Sequence, residues 1–365
     1  MAIKRRGFLA GVGAGAGMAA AGPFFHVRPA RADKGELVVV SWGGDYDDAL
    51  RELVGEPFAK ATGIKVKFDT PPENAKVKAM VEAKNVSWDV LLTDIPAVLS
   101  LAKDKLLEPL DYGALDKKVV DAIPPELRHP YAVGQRIYAF NIVYNTKAFT
   151  KGNHPASWAD VWDAARFPGG RTFNFRGGIA PQLELALLAD GVAVDKVYPI
   201  DVERAWKSMD RLKPTVSKWY VSHAEAIQLI AAGEAVVGCT IGSRATSARK
   251  AGGAVDVDYN EGKVSPDNWC LVKDSANRKA ALDFINFALD PKRQAEVSKR
   301  VPYGPSNNDA FAHLSAAEAA DLNTAPDNIK KQFWWDVAWW GTPGADGKTE
   351  RDKQAERYAQ WMVKG

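Results

Sequence analysis

Five residues stand where a strand-like run gives way to a helical pattern: Trp42 in SWGGD, Thr93 in LTDIP, Arg176 in FRGGIAP, and Ser243 with Arg244 in IGSRAT. In an open parallel sheet such turns lie outside the carboxyl ends of the strands, and the following helix presents free backbone N–H groups that favour an anion. An arginine adds a planar fork suited to a carboxylate. The chemistry these residues can do is recognition rather than bond making. Arg176 and Arg244 would neutralise an anionic group, Thr93 and Ser243 would supply hydroxyls, and Trp42 a flat apolar face.

The equipment for catalysis or metal binding is missing from the pattern. The histidines, His26, His129, His154, His223 and His313, are scattered, and none has metal-ligand spacing to another or to a cysteine. No serine occupies a nucleophile elbow, Gly238-Cys239 lacks the signature of a catalytic cysteine, and the tyrosines are too dispersed for an iron site. No cofactor and no metal are therefore expected. Cys239 and Cys270 are the only cysteines; one bridge between them and two buried thiols are both compatible with the spacing. The alternating glycines from Gly11 to Gly17 imitate a nucleotide-binding loop but follow no strand.

The elements that must position the turns alternate in type. Glu36 to Ser41 is a β-branched run broken by Gly43-Gly44, a helical pattern passes through Leu50, Leu53 and Phe58 to Gly63, and Ile64 to Phe68 is again strand-like. Trp88 to Leu92 reads as a strand, Thr93-Asp94 as a turn and Ile95 to Lys103 as a helix. A second set begins after the strand-like Tyr138 to Tyr144. Arg171 to Phe175 leads to a helix over Pro181 to Asp190, and Ala235 to Thr240 leads through the turn Gly242-Ser243 to another. Such alternation predicts parallel α/β sheet in each half. With two halves facing each other, all four turns line one cleft.

The chain has 365 residues with 48 Lys plus Arg, 45 Asp plus Glu and 46% hydrophobic residues, the composition of a globular protein of about two domains. The first 32 residues hold five basic residues and no acid, leaving 43 against 45 beyond them, a net of −2. That balance disfavours nucleic acid as a partner. The amino-terminal KRRGFLA, the glycine- and alanine-rich stretch after it and Ala30-Arg31-Ala32 resemble a twin-arginine export signal cleaved after Ala32. The resemblance implies a periplasmic protein exported folded.

Four further strings carry a family resemblance: AFNIVYNTKAF (Ala139 to Phe149), SWADVWD (Ser157 to Asp163), ALDFINFALDP (Ala281 to Pro291) and VPYGPSN (Val301 to Asn307). The chain resembles the periplasmic solute-binding proteins of ABC importers, nearest the spermidine/putrescine-binding group. The resemblance implies an α/β, two-lobed periplasmic binding protein fold of type II, with crossover strands near residues 140 to 146 and 264 to 271. It implies lobe 1 over residues 33–143 plus 270–305, lobe 2 over 144–269, and a C-terminal helical segment over 306–365 packing across the lobes. A monomer would close by hinge motion around one small solute and deliver it to membrane permease subunits.

Matched position by position, Trp42 keeps the aromatic after the first strand and Tyr303 the tyrosine after the late helix. The acids of the polyamine binders are not kept. Arg176 stands in the segment where they place carboxylates, and Pro266 and Asn268 replace an aromatic and an acid, with Asp267 nearby. Ile241 replaces an aromatic, and Trp335, in the run FWWDVAWW, aligns with a glutamine. The expectation is a solute whose carboxylate meets Arg176 while Trp42, Trp335 and Tyr303 pack on its apolar part. A γ-amino acid would also need an acid, from Asp45, Asp94 or Asp267. The alternatives are a true polyamine binder and a twin-arginine-exported enzyme.

Overall fold

The computed structural model describes residues 35–174 and 182–364. Its strands are β1 (Glu36–Val40), β2 (Lys65–Asp69), β3 (Val90–Asp94), β4 (Leu107–Glu108), β5 (Arg128–His129), β6 (Ala132–Asn145), β7 (Arg171–Asn174), β8 (Val216–Tyr220), β9 (Val237–Ile241), β10 (Val255–Val272), β11 (Gly304–Pro305) and β12 (Phe333–Trp334). The sheet path runs β2-β1-β3-β10-β6-β9-β7-β8. Within it β2, β1 and β3 are mutually parallel, and so are β9, β7 and β8. Two parallel sheets of three strands thus flank an antiparallel central pair, β6 and β10.

The central pair makes the architecture. The carboxyl-terminal part of β10 pairs with β3, and the carboxyl-terminal part of β6 pairs with β9, so each long strand passes from one half into the other. The pairing between β6 and β10 shifts register between Asp258 and Lys263, which marks the passage. β6 is buried along almost its whole length, as befits a strand covered on both faces.

Local sequence explains the flanking turns. Gly43 and Gly44 have φ of 78° and 70°, in the left-handed region where glycine carries no Cβ penalty. They turn the chain sharply from β1 into the helix Asp45–Leu50 and leave Trp42 projecting at the corner. That helix continues through a π-turn, Arg51–Gly55, into Glu56–Thr62 and stops at left-handed Gly63. Asp94 caps the helix Ile95–Lys103 by accepting from the Ala97 N–H at 2.8 Å.

Several expectations need correction. Thr93-Asp94 is not a turn: both close β3, and Asp94 combines the last strand position with the helix cap. Gly242-Ser243 is the first turn of the helix Gly242–Lys250, entered directly from β9. Trp88 precedes β3, buried and held by its indole N–H to Asp69 at 2.7 Å. The crossover strands are longer than the expected 140 to 146 and 264 to 271, spanning Ala132–Asn145 and Val255–Val272; the first starts early because Gln135 and Arg136, which break the apolar pattern, are paired inside the fold. Cys239 and Cys270 are both buried free thiols, and burial raises both thiol pKa values.

The carboxyl-terminal stretch engages both halves. β12 pairs with β10, and the short helix Val337–Gly341 lies against Ile95–Lys103 while the Trp340 indole donates to Glu184 on the helix Leu183–Ala189. The final helix, Glu350–Val363, packs Tyr358 and Trp361 against Trp206, with ring centroids 6.2 and 5.5 Å away.

Candidate ligand-binding cleft

One wall of the cleft is built around a buried arginine. Arg136 projects from β6, and its guanidinium carbon lies 3.8 Å from the Tyr46 ring centroid and 4.1 Å from that of Tyr303. Its Nε and Nη2 both reach Asp267 Oδ2 at 2.7 Å, the residue directly opposite on β10. Cation–π contact and ion pair together let a charge persist in a buried site. Burial pushes the Asp267 carboxyl above its ordinary range, with Arg136 and a hydrogen bond from Trp42 opposing that shift. Asp94 faces Asp267 across β3 and β10; burial raises its pKa, and the charge on Asp267 adds to the rise.

Trp42, Asp45, Tyr46, Arg136 and Tyr303 from this wall face Ile227, Gln228, Arg244 and Ser247 from the other across a cavity of about 330 Å³. That volume is at the small end for ligand sites. Trp42 is 41% exposed, unusual for an indole in a buried corner and suited to contact with a solute. Arg244 is exposed, and no described carboxylate lies within ion-pair distance of it.

From Arg136, which lines the cavity, one face of the crossover strands continues into the interior. Next along the face from Arg136 and Asp267 comes the pair Tyr138 and Ser265, and then Phe140 and Lys263. Lys263 is 1% exposed. Its Nζ donates to Glu184 Oε2 at 3.1 Å, and lies 5.1 Å from the Trp335 ring centroid and 5.4 Å from that of Phe140. Thr93 Oγ1, Ser243 Oγ and Trp335 Nε1 are buried with no hydrogen-bond partner, while Ser41 and Ser265 have the Asp47 carboxylate and the Tyr138 hydroxyl as neighbours.

The structure therefore brings Trp42, Arg244 and Tyr303 to one cavity, and places Thr93, Ser243 and Trp335 among the unpartnered buried groups. Asn268 sits opposite Thr93 in the strand register and turns its amide to the Pro266 carbonyl at 3.3 Å. Arg176 lies outside the described residues. Sequence reasoning missed Arg136, Tyr46, Tyr138, Lys263 and Glu184. A signal existed for two of them: a lone Arg or Lys inside an otherwise apolar strand run must find an acid when that strand is buried on both faces. Among the described residues no cluster has the makings of a metal site, and no helix is long and apolar enough to cross a membrane.

His223 offers a test of the second wall. It opens the helix His223–Ala232, and its Nδ1 is 2.9 Å from Thr240 Oγ1. Burial, with the Arg244 charge adding to it, lowers its pKa from 6.5 to about 4. Below the ordinary histidine value the unfolded chain takes up a proton that the folded chain refuses, so stability present above pH 6.5 is lost as pH falls towards 4. The loss is about 3 kcal/mol for this group. Urea unfolding at several pH values should show that limb in the wild type and a flatter one in His223→Gln.

The parallel sheets joined by two crossover strands, with a small cleft lined by aromatic and charged side chains, define a two-lobed α/β binding protein. Residues 54–328 match the model of the bacterial extracellular solute-binding protein family, and the chain belongs to that family. It is 32% identical over 341 residues to the gamma-aminobutyric acid-binding protein of Pseudomonas aeruginosa, covering 92% of this chain and 93% of that one. It is 25% identical over 290 residues to the spermidine/putrescine-binding periplasmic protein of Salmonella typhimurium, covering 76% and 81%. The crystal structure of an ABC transporter substrate-binding protein from Bradyrhizobium japonicum aligns with a TM-score of 0.82 at 33% identity, over 90% of this chain and 99% of that one.

Proposed function

We propose that the chain is the periplasmic solute-binding subunit of an ABC importer, and that its solute is a small zwitterion of the ω-amino acid type. The observation that supports this reading best is the set of unpartnered buried groups on Thr93, Ser243 and Trp335. Each such group costs about 1–3 kcal/mol when left unsatisfied. A small polar solute supplies the missing bonds, and only when both lobes close on it, which is how binding favours the closed state.

The charges choose the class of solute. Asp45, Arg136 and Arg244 line the cavity, and behind it the strands carry the acids Asp94 and Asp267, the latter paired with Arg136, and the cation Lys263, paired with Glu184. A diamine has no use for the cations and a simple carboxylate none for the acids, whereas an ω-amino acid uses both. The relative that binds gamma-aminobutyric acid supports the same class. Trp42, Thr93, Ser243, Arg244, Asn268, Tyr303 and Trp335 remain the proposed contacts, with Arg176 as a further cation.

Residues 33–143 with 270–305 form lobe 1 in this proposal, 144–269 lobe 2, and 306–365 a segment packed across both. The twin-arginine-like leader takes the folded chain to the periplasm and is cleaved after Ala32. There the monomer hands its solute, chemically unchanged, to the permease. A thermal-shift screen of ω-amino acids, diamines and aromatic acids on the mature chain tests the reading, since a ligand specific to the folded state raises Tm. Shifts from ω-amino acids are expected. Shifts from diamines alone would overturn the zwitterion, and turnover of the bound compound would point to an enzyme.

A further inference from the structure

We propose that the carboxylate of the solute is received on the crossover strand by Lys263, Ser265 and Trp335, with Glu184 as the residue that positions Lys263. The assignment rests on the zwitterion reading above and names the group that meets one end of it.

Lys263 needs an explanation because burying an ammonium is costly, and a buried ion pair is often no more stabilising than an apolar pair of the same volume. Glu184 does not depend on it for satisfaction. Glu184 Oε1 accepts from the Tyr198 hydroxyl at 2.6 Å and the Trp340 indole at 2.8 Å, leaving only Oε2 for Lys263. This arrangement fixes the carboxylate on three elements and holds the ammonium by one of its three donors. The Phe140 and Trp335 rings flank the ammonium and supply no acceptor atoms.

The neighbours of Lys263 are donors too. Trp335 follows β12, which runs parallel to Lys263 and Val264, and its own N–H bonds the Val264 carbonyl at 2.9 Å, placing it beside Ser265. Trp335 Nε1 can only donate, and it is buried without an acceptor; the Ser265 hydroxyl beside it, which neighbours the Tyr138 hydroxyl, can turn to donate as well. Three adjacent positions on one face of the crossover thus carry an ammonium, an indole N–H and a hydroxyl. A group that answers all three is an acceptor bearing negative charge, and a carboxylate with two oxygens fits. The acids Asp94 and Asp267 lie further along the same face, towards the other end of β10. Four residues of strand separate Lys263 from Asp267, about 13 Å between backbones.

Calorimetry with γ-aminobutyrate and with 4-aminobutanol, which keeps the amine and loses the carboxylate, tests the assignment at neutral pH. Wild type should prefer γ-aminobutyrate by about 100-fold or more, the worth of a charge-assisted site. Trp335→Phe removes one donor, and because a hydrogen bond to a charged oxygen is the stronger, it should weaken γ-aminobutyrate about tenfold and 4-aminobutanol less, which narrows the preference. Lys263→Met paired with Glu184→Gln avoids an unpaired buried charge and should abolish the preference. Should that double variant fail to fold, Trp335→Phe and Ser265→Ala decide the matter. Undiminished preference for γ-aminobutyrate in the folded variants overturns the assignment alone. A wild type that binds no ω-amino acid overturns both the assignment and the function it rests on.

Discussion

Arg136→Met lowers the unfolding free energy by about 3–5 kcal/mol, the loss expected when one partner of a buried ion pair is removed and the other stays charged. The mechanism is specific to this site. Methionine retains packing between Tyr46 and Tyr303, so the loss comes from Asp267, left buried without the two donors that now reach its Oδ2 at 2.7 Å. Adding Asp267→Asn removes the stranded charge, and the double variant regains most of the stability. Urea unfolding of the two variants beside wild type checks both statements. A double variant as unstable as Arg136→Met would mean that lost packing around the guanidinium, rather than the unpaired carboxylate, sets the cost.

Asp267→Asn has its largest effect on binding. Asp267 lies opposite Asp94, hydrogen-bonds Trp42 and is buried, and the proposed function assigns this pair of acids to the amine of the solute. Truncating one partner of a desolvated charge contact costs about 2–5 kcal/mol. Affinity for an amine-bearing solute should therefore fall by about 100-fold or more. The Arg136→Met, Asp267→Asn double variant separates this from unfolding, because it recovers stability and should still bind weakly. Wild-type affinity in that double variant would remove Asp267 from the ligand site.

How much of this was legible in the residues depended on how local the determinant is. The helix Ile95–Lys103 was read with its true ends because a cap, a proline and an apolar face all fall within one window. The corner at Trp42 was legible for the same reason: two glycines follow a β-branched run, and both take positive φ. The strand ending at Asp94 was cut short because polar Thr93 and Asp94 resemble a turn, whereas in the fold they pair with Asn268 and Asp267. The first crossover lost its beginning in the same way. Gln135 is answered by Trp269 and Arg136 by Asp267, partners more than a hundred positions away that no local pattern reveals.

The site divides along the same line. Trp42, Tyr303 and Arg244 come from turns and helix starts that sequence marks, and all three line the cavity. Arg136, Lys263 and Glu184 come from the interiors of buried elements, where charge looks like an interruption until its partner is known. The polyamine-binding resemblance carried the fold and the cleft, and the departures from it, above all the loss of acids around Arg176, pointed to a ligand with a carboxylate. The mixture of charges on β6 and β10 sharpens that expectation into a zwitterion.

Titration calorimetry of the mature chain with γ-aminobutyrate and with putrescine is the most direct test. One γ-aminobutyrate per chain, recovered unchanged, is expected with an affinity at least about 100-fold above that for putrescine, since the diamine leaves Arg244 without an anion and gives the remaining donors of Lys263 no acceptor. Tighter binding of putrescine, or no binding of γ-aminobutyrate or any other ω-amino acid, would contradict it.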